Sequence, residues 1–427
     1  MAFEDMWEAL RPIGRADGGG YRRFSWTAAD RECRAWFTEE ARSRGLTVER
    51  DPNGNLFAWW DAEKNTGASM GGLIASVASI AADAMTGDFH GEPVTGRRDA
   101  VLTGSHLDSV PDGGAYDGPL GVVSAFAAID LLRERGATPR RPIGVAVFAE
   151  EEGARFGVAC LGSRLATGAI DPARARGLRD ADGVTWGEAM AAEGYDPEAI
   201  GPDPQLLSLN CFVELHVEQG RALTAPVGLA SAIWPHGRWR FDFTGEADHA
   251  GTTRLADRRD PMLPFARTVL AAREAAARHD AVATVGKVRV TPNGVNAIPS
   301  SVAAWLDARA PSEEAVRATV ADVRAAAREA AGRDRVEVSL SEESYTEVVD
   351  FHADLRDRLA KTLGDPPVLP TGAGHDAGIL SAHLPTAMLF VRNPTGVSHA
   401  PAEHAELTDC LAGVEALADV LDELACR

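Results

Sequence analysis

Four stretches of the chain are apolar almost without interruption and of strand length: 100–104, 143–149, 212–215 and 387–391. Short continuous runs of this kind fit strands buried on both faces, as in a parallel sheet. After the first run, Val122, Phe126, Ile129 and Leu132 recur at helical spacing until Gly136. Strand, helix, strand is the unit of an open α/β sheet, in which ligands sit beyond the carboxyl ends of the strands. Upstream, Thr27-Ala28-Ala29-Asp30 reads as a capping box opening a helix that Gly45 ends. Segments 47–50 and 55–60 flank Asn53-Gly54, a hairpin turn. Leu407, Leu411, Val414, Leu417, Leu421 and Leu424 mark a C-terminal amphipathic helix.

The middle of the chain has a different period. Segments 239–244, 285–291 and 302–309 alternate as half-exposed strands, whereas 261–279 and 312–331 are Ala- and Arg-rich with helical spacing. A sheet with helices on one face predicts a second domain, 228–337, inserted into a first one made of 1–227 and 338–427. The length of 427 residues also favours two domains over one.

Charge narrows the partners. The formal net charge of −20 argues against nucleic acid and against an anionic membrane surface. Five cysteines, Cys33, Cys160, Cys211, Cys410 and Cys426, show no C-x-x-C spacing and predict buried thiols in a reducing cytoplasm. No apolar run begins the acidic N-terminus, so a secretory signal is not expected. The uncharged stretch 65–82 approaches the length of a membrane span, but its Gly, Ala and Ser content predicts a soluble helix or insertion.

The candidate chemistry gathers at the strand ends. His106 closes the first apolar run, Asp108 follows two residues on, and Asp117 opens an Asp-Gly-Pro turn before a helix. Asp108 is placed to accept the second imidazole N–H and fix the tautomer of His106. A carboxylate such as Asp117 can bridge two metals. Glu151 and Glu152 follow the second strand, and as neighbours they project differently, so one can ligate while the other carries a proton. His216 and His399 complete a set of imidazole and carboxylate donors suited to divalent transition metals. The bland reading, structural histidines, would have to hold at every one of these strand ends. His249, between Asp248 and Ala250-Gly251, could donate to an oxyanion, or could cap its own loop. Asn296 could donate to a substrate carboxylate. Arg309 could bind one bidentately, or form a surface ion pair.

These residues carry a resemblance. Ser105-His106-Leu107-Asp108-Ser109, Tyr116-Asp117-Gly118-Pro119-Leu120-Gly121 and Glu150-Glu151-Glu152-Gly153-Ala154-Arg155-Phe156-Gly157 resemble the N-carbamoyl-L-amino acid hydrolase and allantoate amidohydrolase family. So do 214–220, Asp248-His249-Ala250-Gly251-Thr252-Thr253, Pro292-Asn293-Gly294-Val295-Asn296 and Gly372-Ala373-Gly374-His375-Asp376. This family lies in the di-zinc aminoacylase and carboxypeptidase clan, and its motifs run in order over nearly the whole chain. The resemblance implies an α/β fold: an open mixed-sheet di-zinc hydrolase domain with an inserted α+β lid and dimerisation domain of four strands and two helices. It implies two divalent ions per subunit, Zn2+, Mn2+ or Co2+, held by His106, Glu152, His216 and His399 with Asp117 bridging. It implies Glu151 as general base and His249 as a transition-state stabiliser. Asn296, Arg309, Gln219 and His375 would face the substrate, and Glu150 has no matching role. The short gap between His106 and Asp117, with histidine at 216, resembles the carbamoylase branch.

Two departures stand out. Arg254-Leu255 replaces the Pro-Met of many relatives; Arg254 could favour a second anionic group at the active-site rim, but pairing with Asp257 or Asp260 is the expectation. Segment 65–98 is longer than the family loop. Together these readings predict a cytoplasmic homodimeric amidohydrolase cleaving the ureido bond of small carboxylates. The alternatives are N-acyl amino acid or dipeptide hydrolysis on the same centre, and a non-catalytic metal-binding protein, against which the Glu151-Glu152 pair speaks.

Overall fold

The computed structural model describes residues 3–62 and 97–427. The stretch 65–82, and segment 65–98 up to residue 96, fall outside the described residues. Contacts divide the chain into two units. The first comprises Met1–Ala230, Phe351–Leu369 and His375–Arg427, and the second Ser231–Asp350 with Pro370–Gly374.

Four parallel strands form the heart of the first unit, in the order Ile143–Phe148, Val101–His106, Cys211–Val217, Thr386–Val391. Every residue in them is buried, as their unbroken apolar runs require. Antiparallel strands flank them, so the sheet is mixed. Leu56–Trp60 and Thr47–Arg50 lie beside Ile143–Phe148, and Val227–Leu229 pairs with Leu389–Val391. The helix Pro119–Glu134 covers the sheet with Val122, Phe126, Ile129 and Leu132, and packs against the C-terminal helix Leu407–Leu421. Beyond that helix, a turn over Asp422–Cys426 keeps Leu424 in the core. At Gly104 a Cβ would stand 2.1 Å from the Ala146 carbonyl oxygen, so the two strands meet only because this residue has no side chain.

The helices Leu161–Thr167, Pro172–Arg176 and Trp186–Ala192 wrap a small core of their own in the first unit. The fully buried Trp186 meets Trp26 and Phe156 edge-on there. Thr27 does precede the helix Ala28–Ser43, but its hydroxyl donates to Phe24 O, and the Asp30 carboxylate accepts the Trp26 N–H instead of that of Thr27, so neither bond of the expected reciprocal box is made.

In the second unit four antiparallel strands run in the order Glu337–Thr346, His236–Thr244, Ser301–Arg309, Val282–Thr291. The helices Met262–Arg278 and Glu313–Asp334, the second through Val316, Val320 and Val323, bury Trp239, Phe241, Phe243, Val302 and Leu306 on one face of this sheet. Ser301–Arg309 alternates strictly between buried and half-buried positions, the period read from its sequence. The unit reaches Asp350 rather than the expected 337. The strand Glu337–Thr346 is an edge strand with no fully buried residue, and only Val338 and Leu340 alternate toward the core before the polar run Ser341–Ser344, a pattern too short to announce it.

Candidate metal centre and active site

The carboxyl ends of the parallel strands bring together His106, Asp117, Glu151, Glu152, His216 and His399. Two clusters result, His106 with Asp117 and His216, and Glu152 with Asp117 and His399. Asp117 belongs to both. Its Oδ1 lies 3.5 Å from His106 Nε2 and 3.3 Å from His216 Nε2, while its Oδ2 lies 3.3 Å from His399 Nε2. Glu152 Oε2 is 3.5 Å from the same His399 nitrogen. The sequence left the division of these donors open; the structure pairs His106 with His216 and Glu152 with His399.

Local backbone explains the aim of each group. His106 is the last residue of its strand, and its Nδ1 is 3.1 Å from the Asp108 carbonyl oxygen, which leaves Nε2 facing Asp117. His216 Nδ1 likewise meets the Val217 carbonyl at 2.9 Å, turning Nε2 inward. Gly118 has φ +84°, and a Cβ there would stand 2.5 Å from the His106 ring, so the turn that delivers Asp117 requires glycine. His399 adopts φ +56°, and half its side chain is exposed.

The Asp108 carboxylate does less for His106 than expected, its Oδ1 standing 3.5 Å from Nδ1. Its shorter bonds accept the backbone N–H groups of Glu151 and Glu152, at 3.2 and 3.0 Å. Glu150 has a local role, as its Oε1 accepts the N–H groups of Arg155 and Phe156 and closes the loop after the paired acids. The buried Glu151 lies 3.6 Å from His106 Nε2 and receives a contact from the Cys160 thiol at 3.4 Å.

The electrostatics are those of carboxylates crowded out of water. Burial would raise Asp117, yet the facing rings of His106, His216 and His399 hold it well below the carboxylate range. Burial pushes Glu151 well above it, and burial with the Asp117 charge brings Glu152 to about 7. His399 rises to about 9, chiefly because Asp117 accepts from it. Imidazoles that hold protons this firmly among carboxylates will hold a divalent cation in their place, since ligation exchanges proton for metal. His106 Nε2 is buried with no hydrogen-bond partner, and a cation would satisfy it. The donor set of nitrogen and oxygen fits such an ion.

Gln219 was expected to face substrate. Its Nε2 donates to Asp117 Oδ2 at 2.8 Å and reaches Ser398 Oγ at 3.1 Å. His375 is buried with its ring 4.5 Å from that of His216, and burial followed by the His216 charge lowers it well below its ordinary value, keeping it neutral. A further grouping, Glu214 with His216 and His375, shares His216, but Glu214 already accepts from Ser105 Oγ and Ala377 N.

The second unit holds the other candidates. His249 lies on a two-residue ladder, Asp248–His249 paired to Ala297–Ile298, and Asn296 immediately precedes the second strand, its carbonyl accepting the Ala250 N–H; both are exposed. The Gly251 N–H donates to His249 Nδ1 at 3.0 Å, which puts the proton of the neutral ring on Nε2, pointing outward as a donor. Arg309 is already engaged. Nε and Nη2 grip Asp307 at 2.8 and 3.1 Å, and Nη1 donates to Gly372 O at 2.6 Å. Arg254 pairs with Asp257 at 2.7 Å, as expected.

Sequence reading missed Glu403, whose Oε1 accepts the N–H groups of Tyr116 and Asp117 at 2.8 and 3.0 Å. Its place four residues after His399 was the only available signal.

Paired clusters sharing one carboxylate at the carboxyl ends of parallel strands, with a spare buried glutamate beside them, suit a divalent metal centre in a mixed α/β fold. The chain belongs to Peptidase family M20/M25/M40, which it matches over residues 102–423. It is 35% identical over 443 residues to the N-carbamoyl-L-amino acid amidohydrolase of Geobacillus stearothermophilus, covering 99% of this chain and 98% of that protein. It is 31% identical over 435 residues to the allantoate amidohydrolase of Escherichia coli strain K12, covering 100% and 98%. A solved amidase of the hydantoinase/carbamoylase family from Burkholderia vietnamiensis superposes with a TM-score of 0.82 at 28% identity, covering 100% of this chain and 98% of that one. The protein is thus a hydrolase acting on C–N bonds. No described helix is long and apolar enough to cross a membrane.

Proposed function

We propose that the protein hydrolyses the ureido C–N bond of small carboxylates, allantoate or N-carbamoyl-L-amino acids, with release of ammonia. The observation that carries this reading is the splitting of Asp117 between two donor clusters with Glu151 alongside, and the relatives' activities supply the substrate class. His106, His216 and Asp117 would hold one divalent ion, and Glu152, His399 and Asp117 a second, with Zn2+, Mn2+ and Co2+ all suited to these donors. When bound, the ions supply positive charge that polarises the carbonyl and makes water easier to deprotonate.

Glu151 takes the proton of the attacking water, a role that its burial favours by raising its proton affinity. The new C–O bond forms at the ureido carbon. As the C–N bond breaks, Glu151 returns that proton to the leaving nitrogen. His249 donates from Nε2 to the developing oxyanion. Asn296 and the outward N–H groups of Arg309 hold the substrate carboxylate, while Asp307 and Gly372 fix the guanidinium plane. Gln219, bound to Asp117, and His375, against His216, line the substrate side of the centre. The second unit serves as lid and dimerisation domain. Its edge strand Val282–Thr291 and the exposed Leu263 and Leu270 support a homodimer.

The test is a substrate panel on metal-loaded protein. Ammonia with carbon dioxide, released from allantoate or from an N-carbamoyl-L-amino acid, is the expected product. Turnover confined to N-acyl amino acids or dipeptides, releasing free acid or amino acids, would replace this reading with an acylase or peptidase activity.

A further inference from the structure

We infer that Glu403 is a positioning residue for Asp117, a clamp that sets the shared carboxylate between the two donor clusters. The inference rests on the reading of Asp117 as a ligand common to both metal positions, and adds a residue to which no role in that centre has been given.

Three observations carry it. Glu403 is buried, and one oxygen, Oε1, accepts the consecutive N–H groups of Tyr116 and Asp117 from 287 and 286 residues away in sequence. Consecutive N–H groups converging on one oxygen fix the peptide plane before Asp117, and with it the direction in which the Asp117 side chain leaves the backbone. The approach is also unusually close: a Cβ on Gly114 would stand 2.3 Å from Glu403 Oε1 and 2.4 Å from its Cβ, so the 114–117 turn folds around this glutamate only with glycine there. Finally, Glu403 shares a short loop with His399, which faces Asp117 Oδ2. One loop therefore supplies a donor to one cluster and orients the group common to both. A buried carboxylate beside Asp117 is electrostatically unfavourable, and a neutral side chain could fill the same space without that cost. The two backbone donors are what a carboxylate gains there.

The experiment titrates Zn2+ into chelator-stripped full-length protein by calorimetry, with circular dichroism confirming that each stripped variant is folded. Wild-type protein shows two binding events. Glu403→Ala weakens both, by about 10–100-fold, the range for removing an outer partner of a metal ligand. Glu403→Gln, whose amide oxygen still accepts both N–H groups, recovers most of the loss. His399→Ala weakens one event only, as would any change that merely disorders the 399–403 loop. Gly114→Ala, which drives a methyl group into the clamp without deleting it, also weakens both and decides the matter if Glu403→Ala does not fold. Unchanged affinities in these variants, or a loss confined to the event that His399→Ala removes, overturn the clamp. Asp117→Ala separates the two levels. If it abolishes both events while the Glu403 variants bind normally, only the clamp fails; if it leaves both intact, the shared-ligand reading fails and takes the clamp with it.

Discussion

The two groups of candidate residues are built on opposite plans. In the first unit, the backbone that carries the carboxylate donors is fixed by partners far away in sequence: Asp108 holds Glu151 and Glu152 across 43 and 44 residues, and Glu403 holds the Asp117 turn across 286. In the second, His249 relies on neighbours. Asp248 accepts its N–H, Gly251 donates to its Nδ1, and Thr253 donates to its carbonyl. The first arrangement forms only when the whole sheet forms, and resists local motion. The second can shift without unfolding anything else. Groups that share a cation need fixed geometry, whereas a donor to a transient oxyanion can stand on a short exposed ladder.

The sharpest way to break this contrast is to remove one reacting group from each side. Glu151→Gln is expected to lower turnover by about 10³-fold or more while metal content by mass spectrometry stays unchanged. Unaltered turnover would eliminate Glu151 as the base. His249→Ala should cost about 10²–10³-fold in kcat, with metal content and melting temperature as in the parent. A drop in metal content in that variant would mean the two plans are not separable.

Two glycines sharpen the comparison. Gly118→Ala places a methyl group 2.5 Å from the buried His106 ring at φ +84°, and should cost about 1–3 kcal/mol in stability along with metal affinity. Gly251→Ala brings a methyl only to 3.2 Å of the exposed His249 ring and should leave the melting temperature alone while reducing kcat modestly. Equal melting temperatures for the two variants would contradict the difference in rigidity.

The effect furthest from the chemistry concerns a buried acid elsewhere in the first unit. Burial raises Asp51 from 3.8 to about 7 despite N–H donors from Asn53 and Asn55. Because the folded value lies above the unfolded one, its contribution to stability is complete below pH 4 and is lost as pH rises through 7. Asp51→Asn should flatten the pH dependence of stability over that window, by up to a few kcal/mol. Denaturant midpoints at pH 4.5 and 8 would show it, and an identical slope in both proteins would count against a protonated Asp51.

Much of this was legible in the chain, and the limits have physical causes. The four buried strands and the helix Pro119–Glu134 announce themselves because continuous apolar runs and helical spacing are local properties. The donors could be named because each closes or follows such a strand. Three things were not legible. The division of donors between two clusters depends on how Asp117 rotates between strands. Glu403 matters through bonds to backbone N–H groups, which any residue possesses. The edge strand Glu337–Thr346 half-buries only Val338, Leu340 and Tyr345 against the core and so leaves little pattern. Arg309 shows the converse: the sequence left it between a carboxylate anchor and an ion pair, and the fold shows Asp307, two residues back, gripping it.

A single planar group facing two cation positions links their occupancies. Charge drawn from Asp117 by an ion on the Oδ1 side is no longer offered on the Oδ2 side, and the interaction free energy is the same whichever site fills first. Loading should therefore be stepwise, the second ion held less tightly than the first, so that enzyme kept in scarce metal would persist as a half-filled, idle species instead of a mixture of empty and working molecules.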